Sequence, residues 1–173
     1  MRKDLSMKNT LIVVDMQKDF IDGALGSAEA QAIVPAVIEK IRLRKEAGWE
    51  ILYTRDTHWD DYLTTPEGKK LPVPHCIKGT EGWQIPKEIY VEGCPIINKP
   101  TFGYTGWQEY SFDRIELIGL CTDICVVSNA LLLKALFPEA EISVDPLCCA
   151  GVTPESHEAA LKTMAMCQID ICS

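Results

Sequence analysis

The sequence predicts an α/β fold: a six-stranded, mostly parallel sheet of order 3-2-1-4-5-6 with helices on both faces. Three observations carry this. Short apolar, β-branched runs recur along the chain and read as strands buried on both faces. Helix-like segments alternate with them, which is the pattern of a parallel sheet. Finally, Asp15, Asp56, Lys99 and Cys125 stand at or just past strand carboxyl ends, where open sheets of this kind bind ligands.

Met1 to Lys8 is polar and expected to fray, and Thr10–Val14 is the first strand, ending at Asp15. A loop through Gly23 and Gly26 leads to a helix over Glu29–Ala47. That helix carries Ile33, Val37, Ile41 and Ala47 on its apolar face and stops at Gly48. Glu50–Asp56 is the second strand. Residues 57–84 are rich in Pro, Gly, Thr and charge without a sustained period, and so long an irregular segment reads as a functional loop. Pro95–Lys99 is the third strand, broken at Pro100, and Arg114–Leu120 is the fourth. A turn, Cys121–Cys125, then leads into a helix starting near Val126. Glu141–Asp145, a helix over Pro154–Ala165 and a last strand at Gln168–Ile171 complete the chain. No repeat, low-complexity tract or linker divides the 173 residues, so one domain is expected.

A net charge of −8 without a basic patch argues against nucleic acid or an anionic membrane as partner. No apolar run approaches a membrane span. Eight cysteines in a chain of this length, several inside apolar runs and with no secretory signal, read as reduced thiols of a cytoplasmic protein. Cys121 and Cys125 are spaced for neither a redox pair nor a zinc knuckle. The first strand is followed by Asp15-Met16-Gln17, not by a glycine-rich phosphate turn, which excludes an ordinary dinucleotide-binding dehydrogenase.

Two constellations carry chemistry. In the first, Thr122 or Asp123 caps the helix, so Cys125 falls in its first turn, where the helix dipole favours a thiolate. Lys99 supports that charge and Asp15 takes and returns a proton. The bland alternative makes Cys125 a buried small residue and Lys99 a side chain reaching for solvent. In the second, Asp56, His58, Glu67 and His75 form a mixed N/O set suited to zinc, manganese or iron(II). The alternative is that the two loop histidines only hydrogen-bond.

These stretches resemble the isochorismatase-like cysteine hydrolases, and within them the nicotinamidase (pyrazinamidase) branch. The likeness runs through Leu11–Phe20, Arg55–His58, Pro74–Gly82, Lys99, Gly119–Val126 and Asp145–Ala160. The motif Gly-Leu-x-Thr-Asp-x-Cys-Val, with a strand-ending Asp upstream, is its most specific part. The resemblance implies a Rossmann-like sheet, a nucleophile at Cys125, a proton shuttle at Asp15 and a supporting cation at Lys99. It also implies a non-proline cis peptide between Leu120 and Cys121, and an oxyanion hole formed by the amides of Cys121 and Cys125. It assigns Asp56, His58, Glu67 and His75 to one divalent metal, zinc first, with iron or manganese as alternatives. Phe20 and Phe102 would face each other across the substrate.

The chain departs from that pattern in three places. Leu71-Pro72-Val73-Pro74 replaces a segment with a Trp before His75, Thr64 stands where a third metal histidine often sits, and Pro100–Tyr104 replaces a Ser-rich run. The expected activity is hydrolysis of a small-molecule amide, nicotinamide to nicotinate and ammonia, by a cytoplasmic homo-oligomer. Two alternatives are a metal-free amidase acting on another amide or ureido compound, and a non-catalytic binding protein on the same fold. The vinyl-ether-cleaving isochorismatase branch fits less well, because Asp56, His58 and His75 are all present.

Overall fold

The computed structural model describes residues 8–172, so the expected frayed end lies outside the described residues except for Lys8. Lys8 carries the backbone into the sheet, its carbonyl accepting from Asp113 and Arg114. The sheet is six-stranded and parallel throughout, in the order β3-β2-β1-β4-β5-β6. Its strands are β1 (Asn9–Val14), β2 (Glu50–Asp56), β3 (Ile96–Lys99), β4 (Arg114–Leu120), β5 (Glu141–Ala150) and β6 (Asp170–Ile171). Central β1 is buried from Thr10 onward. Its side chains alternate between two cores: Ile12 and Val14 face one, Leu11 and Val13 the other.

The helices are α1 (Lys18–Ile21), α2 (Ala28–Ala32), α3 (Val34–Glu46), α4 (Pro66–Lys70), α5 (Val127–Leu136) and α6 (Pro154–Met166). Val37 and Ile41 of α3 pack on one sheet face, and Ala130, Leu133, Leu161 and Met164 of α5 and α6 pack on the other. The helix expected over Glu29–Ala47 is divided. Ser27 caps α2 through Ala30 N, and α3 restarts at Val34 with Pro35 in its first turn. Proline has no N–H to give and belongs there, whereas inside a continuous helix it would remove a bond. Gly48, at φ +80°, ends α3 where the sequence placed the stop.

β5 runs five residues past its expected end at Asp145. Its pairing with β4 shifts between Leu117↔Val144 and Gly119↔Cys149, so residues 145–148 bulge opposite Ile118 alone. Pro146, which cannot donate to the ladder, falls inside that bulge. The long loop after β2 holds a 3₁₀ turn at Tyr62–Thr64 and α4, which Thr65 caps through Gly68 N. An isolated bridge, His58 to Ile77, closes it back over the end of β2. Gly119 bears on the site directly. At φ +121°, a Cβ on it would stand 2.1 Å from the Val14 carbonyl oxygen, so only glycine lets β4 lie this close to the end of β1. No helix among the described residues is long and apolar enough to cross a membrane.

Candidate active site

Three neighbouring strands end on one cluster. Asp15 follows β1 directly, in the left-handed region at φ +47°, and Lys99 is the last residue of β3. Between them β2 contributes Thr54, whose hydroxyl donates to Asp15 Oδ1 at 2.7 Å. Lys99 Nζ lies 2.6 Å from Asp15 Oδ2 and 3.4 Å from Cys125 Sγ, and also donates to the Thr101 carbonyl at 3.2 Å. Asp15 and Lys99 are both fully buried, so the solvent-reaching alternative for Lys99 does not hold.

Cys125 arrives from β4 by a turn that the sequence reading described only in part. The Leu120–Cys121 peptide is cis, as the resemblance implied, and residues Thr122–Val126 wind as a single π-turn before α5. Neither Thr122 nor Asp123 caps it. The Thr122 hydroxyl instead bonds His157 Nδ1 at 2.7 Å, and both Asp123 carboxylate oxygens accept from Val152 N at 3.2 Å. The β5–α6 connection therefore clamps the turn from outside.

Burial works against the expected thiolate. Burial, reinforced by the charge of Asp15, pushes the Cys125 thiol well above its usual range, and Lys99 only partly offsets this. Burial likewise raises Asp15 against the opposing pull of Lys99. Burial would lower Lys99, but the charges of Asp15, Cys125 and Asp56 outweigh it and hold the ammonium form. One buried ammonium faces both the acid and the thiol, so ionisation of either opposes ionisation of the other.

Beside this cluster, Asp56, His58, Glu67 and His75 each turn one donor atom inward, all within 4.8 Å of one another. Asp56 Oδ2 stands 2.9 Å from His58 Nε2 and 3.5 Å from His75 Nε2. Glu67 Oε1 stands 3.6 Å and 4.0 Å from the same two nitrogens. Two features fit a divalent cation. Asp56 Oδ1 is buried without a hydrogen-bond partner. His75 Nδ1 donates its N–H to the Val73 carbonyl at 2.8 Å, the tautomer that leaves the Nε2 lone pair to face a metal. Burial opposes ionisation of Asp56, yet its surroundings, the His58 hydrogen bond and the charge of Lys99 among them, outweigh it and hold the carboxyl far below its usual range. Burial pushes Glu67 upward.

Both groups open on one cavity of about 360 Å³. Asp56, Glu67 and His75 line it with Cys121 and Cys125, as do Phe20 and Phe102. Sequence reasoning missed Leu25, Pro66, Lys70 and Ile124, which also line it, as does Leu71 of the segment before His75. It also missed Gln17. This buried side chain accepts from Asp56 N at 2.7 Å and donates to the Asp56 and Trp83 carbonyls at 2.9 and 3.0 Å, fixing the end of β2. A buried glutamine two residues after a strand-ending aspartate was the available signal.

The isochorismatase domain model matches residues 9–173. A Bacillus subtilis (strain 168) protein described as an uncharacterized isochorismatase family protein, PncA, is 30% identical, covering 92% of this chain and 95% of its own. The crystal structure of nicotinamidase/pyrazinamidase PncA from B. subtilis superposes with a TM-score of 0.84 at 25% identity, covering 96% of this chain and 100% of that one. The pyrazinamidase of Pyrococcus horikoshii in complex with zinc gives a TM-score of 0.77 at 29% identity, covering 96% and 99%. Sequence and fold agree, and the chain belongs to the isochorismatase family of hydrolases.

Proposed function

We propose that the protein is a metal-dependent nicotinamidase that hydrolyses nicotinamide to nicotinate and ammonia through a thioester on Cys125. One observation carries this reading: the Cys125 thiol and three of the four candidate metal ligands line the same cavity. An amide placed there meets a nucleophile at one end and a cation site at the other. Asp56, His58, Glu67 and His75 would hold the metal, zinc first by their N/O set and by the zinc complex of the Pyrococcus relative. When bound, it supplies a Lewis-acidic anchor suited to a pyridine nitrogen.

The remaining chemistry belongs to the chain itself. Asp15 takes the thiol proton as Sγ forms its bond to the carboxamide carbon, and Lys99 beside both balances the charge that moves. The amides of Cys121, just before the π-turn, and Cys125, within it, receive the developing oxyanion. Asp15 returns the proton to the leaving nitrogen, and ammonia departs. A water then gives its proton to Asp15 and attacks the thioester, releasing nicotinate and restoring the thiol. Phe20 and Phe102 sandwich the ring. Nicotinate so formed would return to pyridine-nucleotide synthesis. Eight free cysteines suit a reducing cytoplasm.

Metal content and ammonia release test the reading together. The purified protein is expected to hold one divalent ion per chain. His75→Ala should weaken metal binding by at least about 10²-fold, and exhaustive chelation should abolish activity on nicotinamide until metal is restored. Nicotinamide hydrolysis that survives chelation would favour a metal-free amidase, and release of ammonia only from other amides or ureido compounds would move the substrate assignment.

A further inference from the structure

We propose that Asn129, in the first turn of α5, is a positioning residue that holds the Cys125 nucleophile in register with the Phe102 wall of the cavity. It is fully buried. A primary amide has two N–H groups to give and two lone pairs to receive, and here all four are used. Nδ2 donates to the Cys125 carbonyl at 2.7 Å and to the Phe102 carbonyl at 3.1 Å. Oδ1 accepts from Tyr104 N at 2.9 Å and from Trp107 Nε1 at 3.0 Å. Both Nδ2 partners are carbonyls and both Oδ1 partners are N–H groups, so a flipped amide would face like with like.

The four bonds divide into two arms. One reaches the nucleophile's own backbone. The other three hold residues 102–107, a segment with no strand and a single 3₁₀ turn, Trp107–Glu109, at its end. Phe102 is 45% exposed, so packing alone does not fix it, and its side chain lines the cavity. The same segment is tied to the charged cluster by Lys99 Nζ on the Thr101 carbonyl. One side chain therefore sets the distance between the attacking sulfur and the aromatic wall, without touching substrate. This rests on Cys125 being the nucleophile.

Two substitutions separate the arms. In Asn129→Thr the hydroxyl can turn back to the carbonyl four residues earlier, as threonines do in helices, which keeps the Cys125 bond. It is too short to reach Phe102, Tyr104 and Trp107. Asn129→Asp keeps the acceptor toward Tyr104 and Trp107 but sets a carboxylate oxygen against the Cys125 and Phe102 carbonyls. For Asn129→Thr we expect KM to rise about tenfold with kcat within about twofold. Cys125 alkylation by iodoacetamide should be unchanged, and hydrogen exchange at the Tyr104 amide faster. For Asn129→Asp we expect kcat to fall about tenfold or more, with an altered alkylation rate.

Loss of thermal stability alone, with kcat, KM, alkylation and exchange as in the parent, would overturn the assignment. So would equal losses of kcat and KM in both variants. Should Asn129→Asp fail to fold, Asn129→Thr decides between these outcomes. A parent protein that hydrolyses no amide would sink the proposed function but not this inference, because alkylation and exchange read the two arms without turnover.

Discussion

Cys125→Ala is expected to lower kcat for amide hydrolysis by about 10⁴ to 10⁶, the loss typical of removing a covalent nucleophile. Cys125→Ser should be nearly as inactive, since its hydroxyl is far harder to deprotonate beside the same acid. The structure explains why no neighbour substitutes. Cys125 Sγ is the sulfur that Lys99 Nζ contacts at 3.4 Å, and among the described residues no such contact reaches Cys121, the other thiol on the cavity. Folding should survive both changes, because serine nearly preserves the volume and alanine removes one small group from a site open to the cavity. Turnover measured by ammonia release, alongside thermal midpoints, checks this. More than about one hundredth of parental kcat in either folded variant would contradict a covalent role, given the size of loss just cited.

Lys99→Met is expected to cost both activity and stability. Asp15 and Lys99 are fully buried 2.6 Å apart, and removing one member of such a pair leaves an uncompensated charge worth about 3–5 kcal/mol of destabilisation. Activity should fall about 10²–10⁴-fold, because an Asp15 forced to keep its proton cannot accept one from the thiol. Urea denaturation as a function of pH reads the stability effect. Burial already raises Asp15, and without the ammonium its folded-state value rises further. A group raised in the folded state loses its stabilising contribution as pH climbs through that value. The deficit of Lys99→Met should therefore be largest at neutral pH and above, and shrink toward acid, where the unfolded chain's Asp15 is protonated as well. Adding Asp15→Asn should recover much of the stability and none of the activity. A deficit independent of pH, or undiminished in the double variant, would mean that lost packing and not an orphaned charge is responsible.

Much of the fold was legible because its strands announce themselves. Thr10–Val14 and Ile115–Leu120 are apolar runs buried on both faces, and the carboxyl ends of the strands mark the edge of the sheet that carries the candidate site. The division of the helix at Ile33 was also written in the sequence, since Pro35 cannot sit inside a continuous helix, and apolar periodicity outweighed that signal. The extension of β5 was not legible, because a bulge that absorbs residues 145–148 leaves no period to follow. At the site, residue types and motif order brought Asp15, Lys99 and Cys125 together, and His75 to Asp56. What escaped was long-range pairing. Thr122 and Asp123 have capping side chains, but their partners His157 and Val152 lie some thirty positions away. Burial raises the Cys125 thiol, and no local pattern reports how deeply a turn is covered.

The most direct test is to quench the parent enzyme in acid during turnover of nicotinamide and map its peptides by mass. A nicotinoyl group on the peptide carrying Cys125, absent from Cys125→Ser, is the predicted result. Ammonia release with no acyl group on that peptide, or with one on another of the eight cysteines, would contradict the account.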